Sequence, residues 1–80
     1  MPLKEAEVEV VVLRDWFLKR RADGEEVLKK NLVLQYCPRL IKDVTQLNSV
    51  LRKLENSGEV VVFREKGTSY IDFKYVRDNF

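Results

Sequence analysis

Eighty residues, with 15 Lys and Arg against 13 Asp and Glu for a net charge of +2, leave room for one small domain around one core and exclude a two-domain enzyme. A single cysteine, Cys37, and the absence of histidine rule out an internal disulfide and a Cys/His metal staple, and fit a reducing cytoplasm. The longest stretch without charge, Asn31 to Pro38, falls far short of the ~20 apolar residues a membrane span needs, and MPLKEAEVE carries acids where a secretory leader would carry cations.

Charge is distributed unevenly. Residues 1–26 hold five basic and seven acidic side chains, whereas residues 27–80 hold ten basic and six acidic. Between residues 29 and 53 the only acid is Asp43, set against Lys29, Lys30, Arg39, Lys42, Arg52 and Lys53. A balanced chain thus has a cationic middle.

In chain order, Leu3, Ala6, Val10, Leu13 and Phe17 recur at helical spacing and predict a first helix over Leu3 to Ala22, although EVEVVV also alternates like a strand. Lys19, Arg20 and Arg21 face the negative end of the helix dipole, and Gly24 lies just beyond it. Its β-branched valines weaken this helix intrinsically, so packing must hold it. Glu25 to Leu28 reads as a bridge or a single extended turn. Lys29 to Tyr36, with Leu32, Val33 and Tyr36 apolar, predicts a short second helix that Pro38 ends. Asp43 is placed to cap a third helix, Asp43 to Ser57, whose stripe is Val44, Leu47, Val50, Leu51 and Leu54 and whose stop is Gly58. EVVVFRE and SYIDF then read as two strands joined by Lys66, Gly67 and Thr68, with Val60, Val62, Ile71 and Phe73 on the inward face.

Three helices followed by a two-stranded hairpin, the second and third helices joined by a tight turn, is the order of a winged helix-turn-helix, an α+β fold filling residues 1–80 as one domain. The third helix would then be the recognition helix, and Arg64 to Tyr70 the wing. The helix carrying Trp16 and Phe17, the short helix ending Tyr36-Cys37-Pro38-Arg39, and the Leu47, Leu51, Leu54 helix stopped by Gly58 resemble the C-terminal winged-helix region of primase-helicase-like replication proteins of plasmids, prophages and related mobile elements. The resemblance spans about residues 13 to 75 and rests on hydrophobic spacings rather than catalytic motifs. It implies an accessory DNA-binding module in replication, either within a longer parent protein or standing alone. Cys37 occupies a position that is usually Gly in that family, which implies a differently shaped turn.

Candidate contacts follow from this arrangement. Lys42, Thr45, Gln46, Ser49, Arg52 and Lys53 point away from the apolar stripe, where Gln suits adenine, Arg guanine, Thr a thymine methyl as well as a hydroxyl contact, and Lys and Ser the phosphates. Lys29, Lys30 and Arg39 approach the same side, and Arg64 and Lys66 of the wing can reach a backbone or minor groove. The same residues also read as an ordinary solvated helix face and as charges that guard a hairpin edge. Asp43, Glu55, Glu59 and Glu65 are expected to dilute the cationic field. Tyr70, Phe73 and Tyr75 read as core or edge packing rather than base-stacking rings.

On the first helix, Val8, Val12 and Trp16 fall on a second apolar face, beside Val11 and Leu18. Such a strip meets either more of the domain itself or a partner, which could be a second copy or a parent replication protein. Docking or dimerisation through this helix without DNA binding is therefore the rival to double-stranded DNA as the ligand. No cofactor, metal, small-molecule substrate or membrane is called for. Ser49, Ser57 and Ser69 lack a recognisable base, the glycines at 24, 58 and 67 form no phosphate loop, and Cys37 reads as a small buried hydrophobe, so no catalysis is expected.

Overall fold

The computed structural model describes residues 5–36 and 41–77, with side chains from Val8 onward. Leu3, the Ala6 side chain, and Cys37, Pro38 and Arg39 lie outside the described residues. The elements are α1 (Glu5–Ala22), β1 (Val27–Lys29), α2 (Lys30–Tyr36), α3 (Val44–Asn56), β2 (Val61–Glu65) and β3 (Thr68–Asp72). No helix among these residues is long and apolar enough to cross a membrane.

Both long helices end as their glycines predict. After α1, Gly24 has φ 95°, Gly24 N–H donates to Arg21 O and Glu25 N–H to Arg20 O. After α3, Gly58 has φ 78°, Gly58 N–H donates to Glu55 O at 3.0 Å and Glu59 N–H to Leu54 O at 2.9 Å. Each is a Schellman pair of bonds, which satisfies carbonyls the helix leaves without partners and needs a left-handed residue. At the other end of α3, the Asp43 carboxylate accepts from Gln46 N–H at 2.8 Å, the expected cap.

The two predicted strands become three. β3 is central and both its neighbours are antiparallel to it, in the order β1-β3-β2. Val27 to Lys29 pairs with Asp72 to Tyr70, so the stretch expected as a bridge is an edge strand and α2 starts at Lys30 rather than Lys29. The hairpin loop is two residues, Lys66 and Gly67, with φ 51° and 80°, because Thr68 already pairs with Glu65. Positive φ at both positions is what a type I′ turn requires.

Inside, Leu13 and Phe17 of α1, Val33 of α2, Leu47, Val50, Leu51 and Leu54 of α3, and Ile41, Val60, Ile71, Phe73 and Val76 form one core. Phe17 and Phe73 stack with ring centres 4.8 Å apart. This packing, at about 1.5–3 kcal/mol for each fully buried large side chain, offsets the weak helix propensity of the valines in α1. Leu28, Val62 and Ile71 share the inward face of the sheet, and Phe63 and Tyr70 stack across strands on the outward face at 5.4 Å.

Four apolar expectations fail. Val44 is 48% exposed, Leu32 37% and Tyr36 56%, while Leu34, not assigned to the stripe, packs on the core. Val44 is the first residue of α3, ahead of the turn that meets α1, and α2 is only 7 residues long, so one contact line suffices to seat it. Tyr75 is 61% exposed, with the Lys74 ammonium 5.3 Å from its ring centre, rather than packed at an edge.

Candidate nucleic-acid interface

The helical period decides which side chains α3 offers. With Leu47, Val50, Leu51 and Leu54 buried, the opposite line of a 3.6-residue helix runs through Thr45, Asn48, Ser49, Arg52, Lys53 and Asn56. These six side chains are exposed and line one open concavity. None of them makes a side-chain hydrogen bond or ion pair within the described residues. Every one is a hydrogen-bonding side chain, and none is a carboxylate. Asn48 and Asn56 were absent from the sequence-derived set, although their spacing of four residues on either side of Arg52 carries the signal.

Gln46 departs from its expected role. It sits on the flank of α3 next to α1, where its Nε2 donates to the carboxylate of buried Glu9 at 2.6 Å and its Oε1 accepts from Lys42 N–H at 2.7 Å. Combined with the bond from its own N–H to Asp43, the side chain closes a variant of the capping box and ties α3 to α1. Its amide is therefore engaged in structure rather than presented to a base.

Outside α3, Lys42 is exposed immediately before the cap, Lys29 is exposed at the end of β1, and Lys30 is half-buried at the start of α2. In the wing, Lys66 stands at the loop tip and the exposed Arg64 guanidinium reaches across to Gly67 O at 3.4 Å. Glu55 and Glu65 are exposed as well, and they still dilute the field.

Glu59 does not act as expected. It is 1% exposed, and its carboxylate accepts from the Arg14 guanidinium at 2.8 Å, Ser57 Oγ at 2.6 Å and Arg77 N–H at 3.1 Å. Burial alone would raise its pKa, but the hydrogen bonds from Arg14 and Ser57, then that from Arg77 N–H, overcome it and hold the carboxyl below its ordinary value. Its charge is therefore cancelled inside the fold.

Ion pairing separates the cations into two groups. The described salt bridges are Arg14–Glu59, Lys19–Asp15, Arg20–Glu25 and Lys74–Asp72, all anchored on α1 or just after β3. Arg21 and Arg77 are also occupied, since they donate to main-chain carbonyls of Lys74, Val76 and Ser57. Lys29, Lys30, Lys42, Arg52, Lys53 and Lys66 pair with no carboxylate among the described residues. Among the described residues, the cations left over are thus those between Lys29 and Lys53 and Lys66 of the wing, while Arg64 donates to Gly67 O.

A family model, the YfjI-like C-terminal winged helix domain, matches residues 8–72, well over half of the chain. The chain belongs to this family. No curated protein and no solved structure matches it. Membership makes the fold a winged helix and makes the chain a DNA-binding or protein-binding module. In winged-helix order, α3 stands where the recognition helix of a DNA-binding member would stand and the β2–β3 hairpin stands as the wing, with the third strand, β1, paired to β3.

The other face of this winged-helix domain is α1. Val8 and Val12 are half-buried, Val11 is 44% exposed, and Trp16 is partly buried against the core, where its ring meets Phe17 edge-on at 5.5 Å and lies under the Arg20 guanidinium at 4.9 Å. Trp16 and Leu18 are thus largely used by the domain itself, which leaves Val8, Val11 and Val12 as the outward part of the strip.

Proposed function

We propose that this winged-helix domain binds double-stranded DNA, seating α3 in the major groove and the Arg64 to Tyr70 wing, through Arg64 and Lys66, on the adjacent backbone, as an accessory module in the replication of a plasmid, phage or other mobile element. The observation that carries the reading is the segregation of cations among the described residues: those of α1 and the C-terminal segment are spent on carboxylates and carbonyls, whereas Lys42, Arg52, Lys53 and Lys66 are left without partners and Arg64 reaches only Gly67 O of its own hairpin loop, at 3.4 Å. Phosphates are the counter-charges that such a surface suits, because neutralising them releases condensed cations. The replication context rests on the resemblance of the Trp16, Tyr36 and Leu47 to Gly58 segments to primase-helicase-like proteins.

Arg39 keeps its place in the proposed set on sequence grounds. Thr45, Ser49 and Asn56 supply uncharged hydrogen bonds to phosphate oxygens. Titration of a fluorescent duplex tests the reading: with about five phosphates neutralised, log affinity should fall with log salt at a slope of about −4.5. Absence of association at about 50 mM salt and tens of micromolar protein would end it. A second reading, protein docking or self-association through α1, draws on the 44% exposure of Val11 beside Val8 and Val12. Sedimentation of Val11→Glu against the parent sequence checks it, since loss of a dimer on substitution would assign that face.

A further inference from the structure

We infer that the recognition helix reads sequence through two side chains, with Asn48 selecting an adenine and Arg52 a guanine about two base pairs away. The inference rests on the duplex-binding reading above and adds to it a base preference. Of the three side-chain amides on α3, Gln46 is occupied by Glu9 and Lys42 N–H, and Asn56 is the last residue of the helix. Asn48 remains, exposed, without a side-chain hydrogen bond and in the N-terminal half of α3, the part of a recognition helix that meets base edges. An Asn amide there matches the N6 donor and N7 acceptor of adenine, a pattern that no other base pair shows in the major groove.

Arg52 stands one turn further on and has the longer side chain. Its guanidinium fork fits guanine O6 and N7, and no described carboxylate holds it back. Residues four apart are separated by about 6 Å along a helix axis, against about 3.4 Å per base pair, which sets the spacing of the two contacts at about two pairs. The neighbours are suited to other work. Thr45 and Ser49 are short hydroxyls, and Lys53 is a point charge, so these hold the backbone and place the two readers.

Selection from a randomised duplex library, followed by affinity measurement on the selected sequence and on single-base variants, tests this. The parent protein should enrich an adenine and a guanine about two pairs apart, and a wrong base at either position should cost about 5- to 150-fold in affinity. Asn48→Ala should erase the penalty at the adenine alone, and Arg52→Ala the penalty at the guanine alone. Both positions are exposed, and circular dichroism checks that each variant keeps its fold. Duplex binding with no base preference, enrichment of other bases, or a uniform loss across all sequences in either variant would overturn this inference and leave the duplex reading standing. Failure of the parent protein to bind any duplex would overturn both.

Discussion

Arg14 in the middle of α1 and Glu59 just past α3 meet at 2.8 Å across 45 residues of chain, and the carboxylate also takes hydrogen bonds from Ser57 and from Arg77 N–H. One buried acid therefore joins the first helix, the end of α3 and the C-terminal segment. Removing one partner of such a pair strands the other. Arg14→Ala leaves Glu59 buried with two neutral donors, and we expect a loss of about 2–3 kcal/mol, or about 10–20 °C in Tm for a domain of this size. A Tm within 2 °C or so of the parent would show that Ser57 and Arg77 suffice.

The same contact sets an acid limit on stability. Glu59 has a folded-state pKa below its unfolded value, so its contribution is present in full above the ordinary carboxylate range and is lost as pH falls through the depressed folded-state value. Denaturation followed from neutral pH downward should show stability falling below the ordinary carboxylate range, and Glu59→Gln should be weaker at neutral pH but flatter on acidification. Equal slopes in the two proteins would assign the acid sensitivity to other carboxylates.

Gln46 and Arg52 lie on the same helix and should separate cleanly. Gln46→Ala removes the bonds to Lys42 N–H and to Glu9, leaves the Glu9 carboxylate buried without its amide donor, and is expected to cost about 1–2 kcal/mol. Arg52→Ala removes an exposed side chain without a described partner and is expected to stay within about 0.5 kcal/mol of the parent while losing duplex affinity. Urea denaturation of both variants beside a duplex titration reads the two effects independently. A Gln46→Ala protein of parental stability with changed base preference would return that amide to the DNA.

Gln46 also shows where reading the sequence stops. Local periodicity finds what a residue's own helix buries, so Leu47, Val50, Leu51 and Leu54, the Asp43 cap and the stops at Gly24 and Gly58 were all legible. So was the inward face of Val60, Val62, Ile71 and Phe73, through its two-residue period. What was not legible depends on partners distant in sequence. Three residues, Val27 to Lys29, become a strand only because β3 offers them a ladder. Glu59 looks like any surface acid until Arg14 arrives from 45 residues away, and Gln46 looks like any outward amide until Glu9 does from 37. The short α2 has too few turns for its period to choose between Leu32 and Leu34.

The wing loop sets stability against binding. Lys66 has φ 51° ahead of Gly67, in a turn that prefers Asn-Gly. Lys66→Asn should raise stability by a few tenths of a kcal/mol, since Asn tolerates the left-handed region better. It should also remove one phosphate contact, lowering the salt slope by about 0.9. Thermal melts and titrations at several salt concentrations check both. An unchanged slope would place the wing away from the duplex.

Phe17 and Phe73 decide whether the domain holds together. Their rings stack at 4.8 Å with both side chains fully buried, and they bring α1 onto the chain just after β3. Truncating a buried Phe to Ala costs about 3–5 kcal/mol, while a domain of about 80 residues has about 4–12 kcal/mol in total. Phe73→Ala should therefore remove at least about a quarter of the stability, and all of it if the total lies near the lower bound. Phe73→Leu keeps most of the volume and should remain folded, with a smaller loss of about 1–2 kcal/mol. Because neither ring lies on the exposed face of α3, the Leu variant should bind duplex like the parent wherever it is folded. Denaturation curves fix the first point, and a titration of Phe73→Leu well below its Tm fixes the second. A folded Phe73→Leu protein that no longer bound DNA would mean that the α1 to sheet contact, and not the outward stripe of α3 alone, sets the geometry of the interface.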